Sequence, residues 1–240
     1  MSENTIICVT MRYKSHRLPG KAMIDLGGVN SIDLLAAQLQ GSKHRLVICC
    51  TDSPDDDVIA DYTHLKKIDC FRGSFSVVQR MVSVAKEFGV SYFAHVTGDD
   101  LFVDPVKLDL LVDAHKGADF TFSDLPKGTE SHVINTSFAD RLLDSYGTDT
   151  EYWDKKRSTA WKSANLNFVP LSPIQATSDT FSIELDTPVD AEFIKSLLGR
   201  LRANNIFPPY HIDDLISMHN IEPFLTTKDP IDRQYFTGAR

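Results

Sequence analysis

Four basic residues lie close together near the start of the chain, although its formal net charge is −8. They are Arg12, Lys14, Arg17 and Lys21, and residues 12–21 are called the basic segment below. Arginine offers planar forks of N–H donors and lysine a compact positive charge, and both suit phosphate oxygens. Pro19-Gly20 predicts a turn whose backbone amides could add to an anion-binding concavity. The basic segment therefore indicates a polyphosphate site, with a solvated basic turn as the alternative.

Two aspartates at predicted strand ends form a second set with useful chemistry. Asp99 follows the apolar run Tyr92–Val96, and Asp186 follows Thr180–Leu185, whose residues alternate like those of a strand. Mg²⁺ prefers one or two protein carboxylates, with water and phosphate oxygens completing its octahedron. The two aspartates could therefore hold Mg²⁺ opposite a triphosphate bound by the basic segment. For Asp99, a solvated turn after Gly98 is the alternative.

Strands and helices alternate through the first half of the chain. The predicted strands are Thr5–Thr10, Leu46–Cys50, Ile68–Phe71, Tyr92–Val96 and Asp119–Phe122. Helical spacing of apolar residues lies between them, for example at Ser31–Gln40. This alternation predicts an α/β fold with a Rossmann-like, doubly wound and mostly parallel sheet. Ligands bind outside the carboxyl ends of such strands, so one rim should collect the basic segment, Thr51, Arg72 and Asp99.

The second half of the chain has weaker periodicity. Helices are predicted at Phe138–Tyr146, Glu151–Lys162, Pro188–Ala203 and Ile212–His219. No internal repeat or linker interrupts the sequence, so residues 1–240 are predicted to form a single domain. The tail after residue 204 carries little readable chemistry.

Composition argues against several classes of protein. The negative charge, without a basic face, argues against nucleic acid as a partner. No apolar run approaches the roughly 20 residues of a membrane span. Because Met1–Asn4 also lacks a basic signal-peptide start, a cytoplasmic protein is expected.

Cysteines and a run of acids have ordinary structural interpretations. The cysteines lie in predicted strands without Cys-x-x-Cys spacing, which favours buried, reduced thiols over zinc ligands. They are Cys8, Cys49, Cys50 and Cys70. Asp55–Asp57 follow Pro54 at a helix start, where the helix dipole favours acids over a metal role.

The order of residues in the basic segment resembles the signature of the sugar-activating cytidylyltransferases. The shared pattern is Arg12-x-x-Ser15-x-Arg17-Leu18-Pro19-Gly20-Lys21. It is similar to that of the spore coat polysaccharide biosynthesis protein F group and of 3-deoxy-manno-octulosonate cytidylyltransferases. The resemblance implies a fold of the nucleotide-diphospho-sugar transferase type. It also implies that Arg12, Ser15, Arg17 and Lys21 hold the triphosphate of CTP.

The acidic residues resemble the two acidic motifs of the same family. Thr97-Gly98-Asp99 is followed by Asp104-Pro105, and Asp186-Thr187-Pro188 is followed by Asp190. The resemblance implies that Asp99 and Asp186 bind the catalytic Mg²⁺, and it does not cover Asp100. Together with Arg12 and Lys21, these two aspartates are the predicted catalytic residues.

Base contacts are also implied by the resemblance, whereas the acceptor side is where the match to the family is weakest. Arg72 and Thr97 occupy positions that face the cytosine in relatives, and Thr51 is assigned to the same nucleotide rim. Arg80 and Glu130 are candidate acceptor contacts, with salt-bridge and surface-turn roles as alternatives. His16 and His95 are interpreted as structural or peripheral, because the reaction needs no protein nucleophile.

The implied reaction is Mg²⁺-dependent transfer of CMP from CTP to a small acceptor, with release of pyrophosphate. Family members mostly activate acidic sugars for surface polysaccharides, and many are homodimers. Residues 125–175 match the family poorly and are predicted to form a divergent subregion for acceptor binding or dimerisation. A metal-dependent glycosyltransferase and a catalytically silent nucleotide-binding relative remain the two alternative classes.

Overall fold

The computed structural model describes residues 5–146, 159–172 and 182–221. Within them, one seven-stranded sheet has the strand order β3-β2-β1-β4-β6-β5-β7. The strands are β1 (Ile6–Thr10), β2 (Arg45–Thr51), β3 (Asp69–Gly73), β4 (Tyr92–Thr97), β5 (Phe120–Ser123), β6 (His132–Asn135) and β7 (Leu166–Val169). Only β6 runs antiparallel to its neighbours β4 and β5, so the predicted mostly parallel sheet is confirmed.

Helices cover both faces of the sheet. They are α1 (Ser31–Leu39), α2 (Asp57–Lys66), α3 (Val77–Glu87), α4 (Pro105–Asp113), α5 (Thr136–Tyr146), α6 (Thr159–Lys162), α7 (Pro188–Ala203) and α8 (Ile212–Ile221). Short 3₁₀ turns at Lys21–Met23 and Pro54–Asp56 lie at the rim. None of the helices in the described residues is long and apolar enough to cross a membrane.

Two apolar cores separate because neighbouring residues of a strand point to opposite faces. Ile7 and Val9 of β1 belong to the core beneath α1, α4, α7 and α8, whereas Ile6 and Cys8 belong to the core beneath α3 and α5. Both cores are continuous layers of buried aliphatic and aromatic side chains. This arrangement confirms the doubly wound architecture predicted from the alternation of strands and helices.

The second half of the chain departs from prediction in two places. Ser182 forms only an isolated parallel bridge to Lys127, so the described part of Thr180–Leu185 is not a regular strand. Strand β7 was not predicted, because it is only four residues long and pairs only at the sheet edge, where two of its residues are exposed. The helix predicted at Glu151–Lys162 is described only as α6, and its earlier residues lie outside the described range.

One cysteine prediction is wrong. Cys8, Cys49 and Cys50 are buried free thiols, but Cys70 is exposed because β3 is an edge strand. Cys50 Sγ lies 3.7 Å from Cys70 Sγ. A hydrogen bond from the Cys50 thiol is the main cause that lowers the pKa of Cys70 to about 7.

Candidate active site

The basic segment leaves β1 and folds into a closed loop at the carboxyl rim. The carbonyl of Tyr13 accepts hydrogen bonds from Ser15 N at 3.1 Å and Gly20 N at 2.8 Å. Gly20 has φ +76°, a left-handed conformation that glycine adopts readily. Lys21 N donates to the Leu18 carbonyl, so two amides of the predicted turn are used inside the loop. For these two amides, the expectation of free anion-binding donors is wrong.

Three cations of the basic segment reach different partners. The Arg17 side chain is two-thirds exposed, and its Nη2 lies 2.8 Å from Asp186 Oδ2. Lys21 Nζ lies 2.7 Å from Asp99 Oδ2 and 3.7 Å from Asp186 Oδ1. Arg12 stacks on the exposed ring of Phe75, with Cζ 4.9 Å from the ring centroid. The structure therefore brings Arg17 and Lys21 directly to the two predicted metal ligands.

A buried aspartate ties the basic segment to the end of β2. Asp56 is 1% exposed, and its Oδ1 accepts a hydrogen bond from Tyr13 N at 2.7 Å. Its Oδ2 accepts from Thr51 N at 2.7 Å and from Thr51 Oγ1 at 2.6 Å. Asp56 thus does more than favour a helix start, which is all that its position in an acidic run predicted. The Thr51 side chain is buried in this contact and does not face the rim.

Asp99 is placed by the close packing of β4 against β1. Gly98 N donates to the Thr10 carbonyl at 2.9 Å. A Cβ added to Gly98 would lie 2.7 Å from Met11 Cβ, which is closer than real Cβ contacts. Glycine at this position therefore lets the Asp99 turn lie directly on the end of β1, where Lys21 reaches it.

Asp186 is held by the capping box of α7. The Asp190 carboxylate accepts hydrogen bonds from Asp186 N at 3.0 Å and Thr187 N at 2.7 Å. Thr187 Oγ1 in turn accepts from Asp190 N, which completes the reciprocal cap. Leu185 N donates to the Asp99 carbonyl at 3.0 Å, so the two acidic motifs are joined through their backbones. The predicted meeting of Asp99 and Asp186 is confirmed.

Glu184 is a third carboxylate that sequence reasoning missed. One oxygen each from Asp99, Glu184 and Asp186 lie within 4.8 Å of one another. Asp186 Oδ1 is buried without a hydrogen-bond partner, which leaves a lone pair for a cation. Three carboxylate oxygens fit a hard ion such as Mg²⁺. The sequence did contain a signal for Glu184. It lies two residues before Asp186, and side chains two residues apart in an extended segment point to the same side.

Asp100 lies beneath this carboxylate cluster. Burial is the main cause that raises its pKa well above the usual value, and the charges of Asp99, Glu130 and Glu184 add to the shift. Its Oδ1 accepts a hydrogen bond from Gly128 N at 3.0 Å. Glu130, a predicted acceptor contact, is half-buried and close enough to act on Asp100. Its role toward an acceptor stays a prediction.

The predicted base-binding residues lie at the ends of two parallel strands, β3 and β4, which β2 and β1 separate in the sheet. Arg72 at the end of β3 is exposed, pairs with Asp57 at 2.6 Å and donates to the carbonyls of Thr51 and Ser53. Thr97 at the end of β4 is half-buried. Arg72 and Thr97 both follow parallel strands at the rim, as predicted, and their contact with a base stays a prediction.

Arg80 is not placed as an acceptor contact. Its side chain is 2% exposed because α3 lies against the sheet, and burial lowers its pKa. Nη1 donates to the carbonyls of Ser74 at 2.6 Å and Phe75 at 3.3 Å. Arg80 therefore braces the turn that carries Phe75, the ring on which Arg12 stacks. Its burial argues against the direct acceptor contact that the sequence suggested.

The histidines have the structural or peripheral positions that were predicted. His95 is buried in β4, and its Nε2 lies 2.9 Å from Thr10 Oγ1. Burial lowers the pKa of His95 to about 3 and that of its cross-strand partner His132 to about 4. His16 is exposed within the basic segment. The rings of His95 and His132 are therefore both neutral at pH 7.

Comparisons with known proteins identify the family. A family described as cytidylyltransferase matches residues 6–197. Spore coat polysaccharide biosynthesis protein SpsF of Bacillus subtilis (strain 168) is 27% identical over 243 residues, which cover 95% of this chain and 98% of that protein. The 3-deoxy-manno-octulosonate cytidylyltransferase of Psychromonas ingrahamii is 29% identical over 106 residues, 42% of this chain and 41% of that protein.

A solved structure agrees with the sequence comparisons. The structure of a cytidylyltransferase from Leptospira borgpetersenii has a TM-score of 0.81 at 21% identity, covering 94% of this chain and 98% of that one. This likeness confirms the predicted fold type. The family match favours the cytidylyltransferase over the metal-dependent glycosyltransferase considered from the sequence. The chain therefore belongs to the cytidylyltransferase family and is a CTP-dependent nucleotidyltransferase.

Proposed function

We propose that this cytidylyltransferase transfers CMP from CTP to an acidic sugar in a Mg²⁺-dependent reaction that releases pyrophosphate. The product would serve surface polysaccharide or glycoconjugate synthesis in the cytoplasm, and the enzyme would act as a homodimer. The name of the Bacillus subtilis relative, a polysaccharide biosynthesis protein, supports a sugar acceptor. The finer assignments of acceptor, ion and assembly are proposals.

The observation that carries the proposal is the contact between the basic segment and the carboxylate cluster. Arg17 and Lys21 reach Asp186 and Asp99 at 2.8 and 2.7 Å. A metal-bound triphosphate needs cations for its phosphate oxygens and carboxylates for its metal within one small volume. Here the two charge sets share a rim at the carboxyl ends of β1 and β4, as the doubly wound fold requires.

Mg²⁺ would be held by Asp99, Asp186 and Glu184. Their oxygens are close enough to share one ion, and the buried Asp186 Oδ1 has no hydrogen bond to lose. When bound, the ion would neutralise charge on the phosphate oxygens. The cap made by Asp190 and the Leu185–Asp99 backbone hydrogen bond hold these ligands before any substrate arrives. Such preorganisation avoids a reorganisation cost during the reaction.

The remaining steps use the chain's own cations. An acceptor oxygen attacks the α-phosphorus of CTP, and the bond from that phosphorus to the bridging oxygen of pyrophosphate breaks. Lys21, whose side chain is 15% exposed, would contact the outer phosphates from a partly dry position, where its charge is less screened. Arg17 and Arg12 would contact them from the solvent side. Arg72 and Thr97 would read the cytosine, and Glu130 would face the acceptor.

A thermal-shift panel tests the nucleotide. CTP, UTP, ATP, GTP and UDP-sugars are each added with and without Mg²⁺. A ligand at 100 times its dissociation constant should stabilise the fold by roughly 2.7 kcal/mol. A shift selective for CTP and enlarged by Mg²⁺ is expected. A shift only with UDP-sugars would instead support a glycosyltransferase, and no shift at all would support a silent relative.

Two lysine variants sharpen the assignment of the phosphate contacts. Lys21→Ala should weaken CTP binding much more than CMP binding, because Lys21 is proposed to contact the outer phosphates. Lys14→Ala is the matched control, because Lys14 belongs to the same segment but is exposed and pairs with Asp55. Equal losses for CTP and CMP in Lys21→Ala would contradict the placement. Pyrophosphate release with a panel of acidic and neutral sugars then tests the acceptor.

A further inference from the structure

A backbone clamp joins the two segments that carry the carboxylate cluster. It consists of Asp100, the Lys127-Gly128 turn between β5 and β6, and the extended residues Ile183–Leu185. Gly128 N donates to Asp100 Oδ1 at 3.0 Å, and the Gly128 carbonyl accepts from Phe102 N at 2.9 Å. Both partners lie within three residues of Asp99. The turn is therefore fixed relative to the first metal ligand.

The other side of the same turn fixes the second segment. The Lys127 carbonyl accepts a hydrogen bond from Ile183 N at 3.0 Å. Gly128 lies flat against the Ile183–Glu184 peptide, so a Cβ would be 2.4 Å from Ile183 C and 2.6 Å from Glu184 N. These atoms belong to the backbone and cannot rotate away. The position of Gly128 thus determines how closely Glu184 approaches Asp99.

We propose that Asp100 and Gly128 are positioning residues that set the separation between Asp99 and the Glu184–Asp186 pair, and through it the affinity for a divalent cation. Asp100 fixes the Lys127-Gly128 turn next to Asp99. Because Gly128 has no Cβ, the Ile183–Glu184 peptide can pack against the same turn, which brings Glu184 close to Asp99. Neither residue needs to touch the ion. The inference rests on the proposed function, because it assumes that the carboxylate cluster binds the metal.

Gly128→Ala tests the glycine. Alanine would be strained at φ +89°, and its Cβ would push Ile183 and Glu184 away from Asp99. Gly117→Ala is the matched control, because Gly117 also has a positive φ, +77°, but no atom lies within 4 Å of an added Cβ. The control therefore carries the backbone strain without the displacement.

Binding of Mn²⁺, measured by electron paramagnetic resonance of the free ion, gives a readout that does not depend on activity. Gly128→Ala should weaken binding at least about tenfold, the lower end of the effect seen when residues supporting metal ligands are changed. Gly117→Ala should bind as the wild type does. Equal affinity in Gly128→Ala and the wild type would overturn the proposal, as would equal weakening in both alanine variants.

Two substitutions at Asp100 separate positioning from general stability. Asp100→Asn keeps an oxygen acceptor for Gly128 N and should retain Mn²⁺ affinity. Asp100→Ala removes the acceptor and should weaken it, with circular dichroism confirming the fold. If Asp100→Ala does not fold, loss of Mn²⁺ affinity in a folded Asp100→Asn still overturns the proposal. If the wild type itself does not bind Mn²⁺, the proposed metal site is wrong. If the wild type binds Mn²⁺ and the variants bind it with the same affinity, only the positioning role of Asp100 and Gly128 is wrong.

Discussion

Replacing Asp56 should destabilise the fold and weaken the binding of CTP by the basic segment. The carboxylate is buried and accepts three hydrogen bonds, two from Thr51 and one from Tyr13 N. In Asp56→Ala, the two Thr51 donors stay buried without an acceptor, at roughly 1–3 kcal/mol each, or about 2–6 kcal/mol together. With a urea m-value of about 3 kcal/mol/M, the unfolding midpoint should fall by roughly 0.7–2 M.

Neighbouring acids provide matched controls for this prediction. Asp55 lies in the same run but is exposed, with Lys14 as its ion-pair partner, so Asp55→Ala should hardly move the midpoint. Asp56→Asn has almost the same volume but loses acceptor capacity and adds a donor that faces other donors. It should fall between the wild type and Asp56→Ala. This ordering would attribute the loss to hydrogen bonding and not to packing.

The same variants report on the loop. Without Asp56, the Tyr13 amide loses its anchor to the end of β2, so the basic segment should bind CTP more weakly even where the fold is intact. Isothermal titration at a temperature well below each unfolding transition measures this. If Asp56→Ala and Asp55→Ala have the same urea midpoint and the same CTP affinity, Asp56 does not tie the loop and the reasoning fails.

Two further predictions follow from the histidines and the cysteines. The folded pKa of His132 is about 4 and the unfolded value is about 6.5. Between these values only the unfolded chain binds the proton, so stability decreases as the pH is lowered. The stability of the wild type minus that of His132→Gln, from urea unfolding at pH 7.5, 6 and 5, should therefore decrease by about 1.4 kcal/mol per pH unit below about 6.5. A constant difference would contradict the lowered pKa of His132. Cys70 is exposed with a pKa of about 7, so a disulfide reagent at pH 7.5 should modify it much faster than the buried Cys8 and Cys49. Cys70→Ser should abolish the fast phase, and its survival would mean that another thiol reacts.

The rim could be predicted because each of its parts has a local signal. Short apolar runs marked β1, β2 and β4, and a parallel sheet brings the residues that follow them to one edge. The placement of the basic segment and Asp99 at one rim followed from that rule. The direction of β6 had no such signal, because a four-residue strand has the same pattern whether it pairs in parallel or antiparallel.

Two predicted site residues, Thr51 and Arg80, are less exposed than their sequence context indicated. Thr51 and Arg80 are polar residues near the rim, and polarity alone favours exposure. In β2, however, the side chain of Thr51 points to the same face of the sheet as those of the buried Val47 and Cys49. Arg80 lies on the buried face of α3. A polar residue at a buried position requires an internal partner. The carboxylate of Asp56 and the carbonyls of Ser74 and Phe75 are those partners, and only the folded chain shows them.

Charge balance links the two halves of the site. Arg17 and Lys21 are counterions for Asp99 and Asp186, so these carboxylates can sit at a nearly buried rim without carrying an unpaired charge. A bound triphosphate attracts Arg17 and Lys21 and so weakens their ion pairs with the carboxylates. A divalent ion bound by the carboxylates weakens the same ion pairs from the other side. Each ligand thereby lowers the cost of binding the other, and linkage requires this coupling to be reciprocal. A rim whose cations and carboxylates pair with each other in this way favours the metal–triphosphate complex over either component alone.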